Sequence, residues 1–151
     1  MNSELLYEVK NMPLLALRGL SIFPGMLLTF DVERSASVAA LNEAVRTDQL
    51  IFLAAQKDPI ADAPDESEIY HVGTICRVRQ QLRQPRGGAT RVLVEGLSRA
   101  KAADIDTSGK WYIAEVRELR DKTDRVSAAR KEALLRNCLS LFEEYIQLNP
   151  D

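Results

Sequence analysis

The chain of 151 residues is 46% hydrophobic and 28% charged, with a formal net charge of −2. That length suits one domain able to bury roughly 68–70% of its unfolded surface, and no apolar run approaches the ~20 residues needed to cross a bilayer. A near-neutral balance gives no overall pull toward nucleic acid or acidic membranes. Residues 1–11 carry Glu4, Glu8 and Lys10 and lack the basic start and apolar stretch of a secretory signal. The expectation is a soluble, cytoplasmic protein with no membrane partner. Only Cys76 and Cys138 occur, far apart and among apolar neighbours, which predicts reduced, buried core thiols rather than a disulfide. The single histidine, His71, has no second histidine to share a metal, so no metal site is expected.

Residues 12–20 are mostly apolar and run into Ser21-Ile22-Phe23-Pro24-Gly25, where the Pro-Gly pair favours a turn between two strands. The second strand spans 26–33. Ser35 or Ser37 then caps a helix in which Val38, Leu41 and Val45 repeat as one buried stripe, ending near Asp48. The short apolar run 50–55 predicts a buried strand. Residues 58–68 hold Pro59, Pro64 and five acidic residues with no basic one, the composition of a surface loop.

Over 72–82 a period of two places Cys76, Val78 and Leu82 on one face and Arg77, Arg79 and Arg83 on the other. The turn Gln84-Pro85-Arg86-Gly87-Gly88 returns the chain over 90–96 with Val92 and Val94 inward, which predicts a hairpin. A further strand pair is predicted over 98–105 and 111–119, with Tyr112, Ala114 and Val116 alternating against Glu115 and Arg117. After Asp124 the period changes. Leu134, Leu135, Cys138, Leu141, Phe142, Tyr145 and Ile146 mark one face of a helix about 36 Å long. The chain therefore reads as α+β, a mostly antiparallel β domain over 1–120 followed by a long helix over 121–151. That helix carries Arg125, Arg130, Lys131 and Arg136 early and Glu143 and Glu144 late, against the macrodipole. Either the Glu132 and Arg136 pair compensates locally, or the helix packs on something beyond this segment.

No catalytic constellation emerges. Gly109-Lys110 lacks the earlier glycine and the following hydroxyl of a Walker loop, with Asp104 and Trp111 in those places. Neither a Gly-x-Ser-x-Gly elbow nor a Gly-x-Gly-x-x-Gly fingerprint occurs. Ser98 and Lys101 are near neighbours, yet on a strand they point to opposite faces. Catalytic residues are therefore expected to be absent, and no cofactor is expected in this segment.

Two surfaces remain as candidates. Arg77, Arg79, Arg83, Arg86 and Arg91 fall between Ile69 and Val94 without an acidic residue, which suits nucleic acid or an acidic client. The plainer expectation is a solvated face whose arginines pair with Asp58, Asp62, Asp65, Glu66 or Glu68, and the hairpin lacks aromatics for stacking bases. The apolar candidates are Phe23, Met26, Trp111 and Ile113, core residues unless their face is exposed, in which case they suit unfolded segments of other proteins.

Met12-Pro13-Leu14-Leu15-Ala16-Leu17-Arg18, Ile22-Phe23-Pro24-Gly25-Met26, Ala54-Ala55-Gln56-Lys57-Asp58, Tyr70-His71-Val72-Gly73-Thr74 and Arg91-Val92-Leu93-Val94-Glu95-Gly96-Leu97 with Arg99-Ala100 follow one another in an order that resembles the N-terminal domain of the ATP-dependent Lon protease family. Leu141-Phe142-Glu143-Glu144-Tyr145 with Leu148-Asn149-Pro150 resembles that family's continuation into its helical region. Ala16 and Gly19 depart from a proline and an acidic residue common there. The resemblance implies a PUA-like pseudo-barrel of six strands that recognises unfolded or damaged proteins and aids assembly of a hexameric protease in protein quality control. It also implies that the ATPase, with ATP and Mg, and the Ser-Lys peptidase lie further along the parent chain. The alternative is a free-standing PUA-type nucleic-acid-binding module using the arginine hairpin.

Overall fold

A computed structural model of the chain describes residues 9–85, 87–121 and 125–149. It divides into two compact units, Met1–Arg120 and Asp121–Asp151. The first unit holds strands β1 (Lys10–Leu17) and β2 (Leu27–Val32), helix α1 (Ser35–Arg46), β3 (Leu50–Ala55), a 3-10 turn (Glu66–Glu68), and strands β4 (Val72–Arg83), β5 (Thr90–Asp106) and β6 (Tyr112–Glu118). The second holds helix α2 (Ala128–Leu148).

The strands form one mixed sheet in the order β2-β5-β4-β3-β1-β6, with β6 also paired to β5. Closure depends on β5, a single strand of 17 residues where the sequence pattern suggested two. One of its edges pairs with β4 from Thr90↔Arg83 to Lys101↔Val72. Its other edge pairs first with β2 over Thr90 to Glu95 and then with β6 over Ala100 to Asp106. The segments on either side of the Pro-Gly turn are both strands, but they do not pair with each other. β1 lies between β3 and β6, while β2 pairs with β5.

Continuous apolar runs arise because β1 and β3 are covered on both faces. Met12, Leu14, Ala16, Leu50, Phe52 and Ala54 join Ile75, Ala100, Ala102, Ile105, Ala114 and Val116 in one core. Leu15, Leu17, Ile51 and Leu53 join Cys76, Val78, Val92, Val94 and the α1 residues Ala40, Leu41 and Ala44 in a second. β1 and β3 pair in parallel, from Leu14↔Phe52 to Leu17↔Ala55.

Three local expectations change. Helix α1 begins after Arg34 with no side-chain cap, so neither Ser35 nor Ser37 serves as one; its buried face is Ser37, Ala40, Leu41 and Ala44. Val45, one residue round from that stripe, is exposed. Leu82 is also exposed, because a bulge between Val78 and Gln80 inserts Arg79 and shifts the alternation by one. Gln81 takes the inward position opposite Val92 and donates to Asn42 Oδ1 of α1 at 2.9 Å.

Helix α2 starts at Ser127, whose hydroxyl accepts from the Arg130 N–H, and at 1.5 Å per residue is about 31 Å long. Glu132 and Arg136 form the expected i, i+4 pair at 2.6 Å. No acidic residue stands in its first turn and no basic one in its last. Cys138 and its apolar neighbours Leu134, Leu135, Leu141, Phe142 and Tyr145 are exposed, so Cys138 is not the core thiol the sequence suggested.

Gly96 sits where β5 passes from β2 toward β6, and a Cβ there would lie 2.3 Å from the Phe23 carbonyl oxygen. Gly96→Ala is expected to destabilise the domain by about 1–3 kcal/mol through overpacking. Gly109→Ala, whose nearest contact would be an ordinary 3.5 Å, should stay within about 0.5 kcal/mol. Urea unfolding of the two variants gives the comparison.

Candidate functional site

The turn Phe23-Pro24-Gly25-Met26 exposes two large apolar side chains on a fixed backbone. Proline presets the second residue, Gly25 has φ +83°, and the Met26 N–H donates to the Phe23 carbonyl at 3.1 Å, the features of a type II turn. The turn is pinned to β5 by two backbone bonds: Gly25 N–H to Gly96 O at 2.9 Å and Gly96 N–H to Met26 O at 2.8 Å. Ile22 is buried beneath it, and the Ile22 carbonyl accepts from the buried Thr74 hydroxyl at 2.7 Å. Phe23 is consequently 54% exposed and Met26 38% exposed on a backbone that cannot easily retract them, with Leu27 exposed beside them.

Phe23 forms one wall of a groove of about 430 Å³ at the ends of β1 and β3. Leu17, Ile22, Leu53 and Ala55 line it, together with Tyr70, His71, Val72, Gly73 and Arg99. Tyr70 and Val72 are exposed. Gly73 is required here, since a Cβ would meet Leu53 O at 2.4 Å and the Phe52 ring at 2.8 Å. The Arg99 guanidinium carbon lies 5.3 Å from the Phe23 ring centroid, and Lys57 Nζ lies 5.8 Å from that of Tyr70, both cation–π distances. His71 Nδ1 is 3.1 Å from Ala102 O, and its Nε2 is 3.9 Å from Glu66.

The four apolar candidates are not gathered into one patch. Phe23 and Met26 are neighbours, with the Phe23 N–H 3.4 Å from Met26 Sδ. Trp111 is half-buried against the α1-side core, and Ile113 is 37% exposed on β6, opposite Pro13. Neither lines the groove. Tyr70, Val72 and Arg99 were not singled out from the sequence. A usable signal existed in Val72, which opens its strand on the outward side of the alternation.

Among the described residues, two of the five arginines of the stripe pair with carboxylates, neither of them in the acidic loop. Arg91 and Asp31 are directly opposed in the β2–β5 register and meet at 2.9 and 3.2 Å; that pairing holds the Asp31 carboxyl below its usual range. Arg79 Nε donates to Glu95 at 2.6 Å. Arg83 donates to Asn42 at 3.2 Å, Arg77 is half-buried on β4, and Arg86 lies outside the described residues. In the loop, Asp62 pairs with Arg18 at 2.8 Å, while Asp65 and Glu68 form a capping box around the 3-10 turn. Strand pairing supplies both carboxylate partners: Asp31 lies opposite Arg91, and Glu95, opposite Arg77, reaches the bulged Arg79. Among the described residues no group of three or more His, Cys, Asp or Glu is placed to hold a metal ion, and no helix is long and apolar enough to cross a membrane.

The closed mixed sheet with a short helix and a following long helix is the fold of Lon N-terminal domains. The N-terminal domain of the Mycobacterium avium complex Lon protease superposes with a TM-score of 0.64 at 24% identity, covering 90% of this chain and 71% of that one. The Lon N-terminal domain protein from Xanthomonas campestris gives 0.62 at 15%, covering 88% and 75%. Residues 11–151 match the family described as ATP-dependent protease La (LON) substrate-binding domain, and the chain belongs to that family. Lon proteases of Clostridioides difficile and Desulforamulus reducens are 43% and 40% identical over 140 and 142 residues, 91% and 94% of this chain. Lon protease 1 of Bacillus subtilis is 39% identical over 140. The chain spans only 17–18% of the length of these relatives.

Burial pushes the Cys76 thiol up to about 12, whereas Cys138 is exposed. A thiol reagent at mildly alkaline pH is therefore expected to label one cysteine quickly and the second only on denaturation, since the protonated, buried thiol is unreactive. Cys138→Ser should abolish the fast phase; two fast-reacting thiols would contradict this placement of Cys76.

Proposed function

We propose that the chain serves as the substrate-recognition module of a Lon protease, taking exposed apolar segments of unfolded or damaged proteins at the Phe23–Met26 turn and the adjoining groove. The observation that carries this is the pinned turn: it holds Phe23 and Met26 out in solvent, where they gain most by being covered. Ile113, beside the half-buried Trp111, offers a smaller secondary contact. In the whole protein, ATP hydrolysis with Mg and Ser-Lys peptide cleavage belong to other domains in a cytoplasmic quality-control protease. This segment does no chemistry of its own.

Self-association, as a hexamer in the parent, forms the second part of the proposal. The exposed stripe on α2 supports it, since an apolar helix face is stable when packed on another. Nucleic-acid binding is not favoured, because two of the hairpin's arginines already bond carboxylates.

Titration of the chain with a permanently unfolded protein is expected to show saturable binding that weakens roughly tenfold in Phe23→Ser, Met26→Ser, as lost burial of two such side chains implies. Equal affinity in this double variant would remove the turn as the site. RNA or DNA binding that falls steeply with salt and collapses with Arg79→Glu, Arg83→Glu would favour the alternative. Light scattering is expected to give a mass above the monomer, returning to it in Leu134→Ser, Phe142→Ser; a monomer throughout would confine assembly to other parts of the protein.

A further inference from the structure

Arg99 is the unusual member of the groove. Arg18, Arg46, Arg79, Arg91 and Arg136 each bond a carboxylate; Arg99, like Arg34 and Arg83, has no carboxylate partner among the described residues, and it alone of these arginines lines this groove. No Asp or Glu lines the groove that Arg99 enters. Its one side-chain bond among the described residues runs from Nη1 to Thr74 Oγ1 at 3.0 Å, using one of about five guanidinium N–H donors. Thr74 is buried and its hydroxyl donates in turn to the Ile22 carbonyl at 2.7 Å. With the Phe23 ring on one side, the guanidinium is held in place at the wall of an apolar groove.

That arrangement selects among apolar chains. A purely apolar segment lying across the groove would cover guanidinium donors without offering an acceptor, and an unmet donor to a charged group is costly. A segment that brings a carboxylate to the same point forms a charge-assisted, planar pairing in a partly desolvated setting, where charge interactions are stronger than in bulk water. A lysine brought there meets like charge. Apart from Ser21 and His71, the rest of the lining is apolar or aromatic, with Leu17, Ile22, Phe23, Leu53, Tyr70 and Val72 among it, so the carboxylate is best accommodated with apolar neighbours.

We propose that the groove selects apolar segments that carry an acidic side chain, with Arg99 as the specificity-determining residue that pairs with its carboxylate. The proposal rests on the recognition function above. Side chains are favoured over chain ends as the source, because an unfolded chain offers many acidic side chains and one terminal carboxylate.

The test uses peptides of one apolar and aromatic sequence, acetylated and amidated, that differ only in a central Glu, Gln or Lys. A fourth has the central Gln and a free C-terminal carboxylate. In fluorescence anisotropy the Glu peptide is expected to bind roughly tenfold tighter than the Gln peptide, about one charge-assisted bond, and the Lys peptide weakest. The Glu-to-Gln ratio should fall near one in Arg99→Gln, be partly kept in Arg99→Lys, and be unchanged in Lys110→Gln, which removes an exposed charge elsewhere. Circular dichroism establishes that each variant is folded. Equal binding of the Glu and Gln peptides by the unaltered chain, a preference that survives Arg99→Gln, or a preference for the free C-terminus alone would overturn the proposal while leaving apolar recognition standing. Failure of every peptide to bind would overturn both.

Discussion

The backbone contact between Gly96 and the Phe23–Met26 turn organises both the fold and the site. Two hydrogen bonds tie the turn to β5 at the point where that strand leaves β2 and moves toward β6. The Phe23 carbonyl fills the space that any side chain at 96 would need, so the approach depends on glycine's lack of a Cβ. Because β5 alone reaches β4, β2 and β6, loosening it at this position loosens the closure of the sheet. The same contact sets how far Phe23 and Met26 project. Barrel closure and display of the apolar turn are thus one packing problem, with the groove built around its solution.

Much of this was readable in the sequence, for identifiable reasons. Alternation in 90–96 and 112–116 and the Gly-rich turn between 84 and 88 specify hairpin geometry locally, and the helical period after Asp124 is long enough to be unmistakable. What was not readable is non-local. Nothing in residues 12–33 says that β1 seeks β3 and β6 rather than β2. The bulge that turns Leu82 outward arises from the register of β4 against β5, not from either strand alone. Leu97, at the second register shift of β4 against β5, hides the continuity of β5 by interrupting its period. The candidate site was legible in half: Phe23 and Met26 stand at a recognisable turn, but Tyr70, Val72 and Arg99 line a groove with Phe23 only after folding. Trp111, by the sequence pattern core unless its face were exposed, is half-buried against the second core cluster.

The electrostatics divide the surface in two. Across the hairpin, cross-strand neighbours pair Arg79 and Arg91 with Glu95 and Asp31, exposed contacts worth little individually but enough to blunt a basic face. Around the groove the pattern reverses: Arg99 and Lys57 lie over aromatic rings and have no carboxylate partner among the described residues. A domain that recognises varied polypeptides gains from this contrast. On the proposed function, the paired hairpin arginines offer less free charge to other partners, while the charge of Arg99 beside apolar surface would influence which segments stay.

In the proposed function, polypeptide clients dock on the turn and groove rather than on the arginine hairpin. Hydrogen exchange followed by mass spectrometry, with and without a saturating unfolded protein, tests it most directly. Docking there is expected to slow exchange in residues 20–27 and 70–73 and leave it unchanged around residues 83–91. Protection confined to the hairpin, with the turn and groove unaffected, would contradict it.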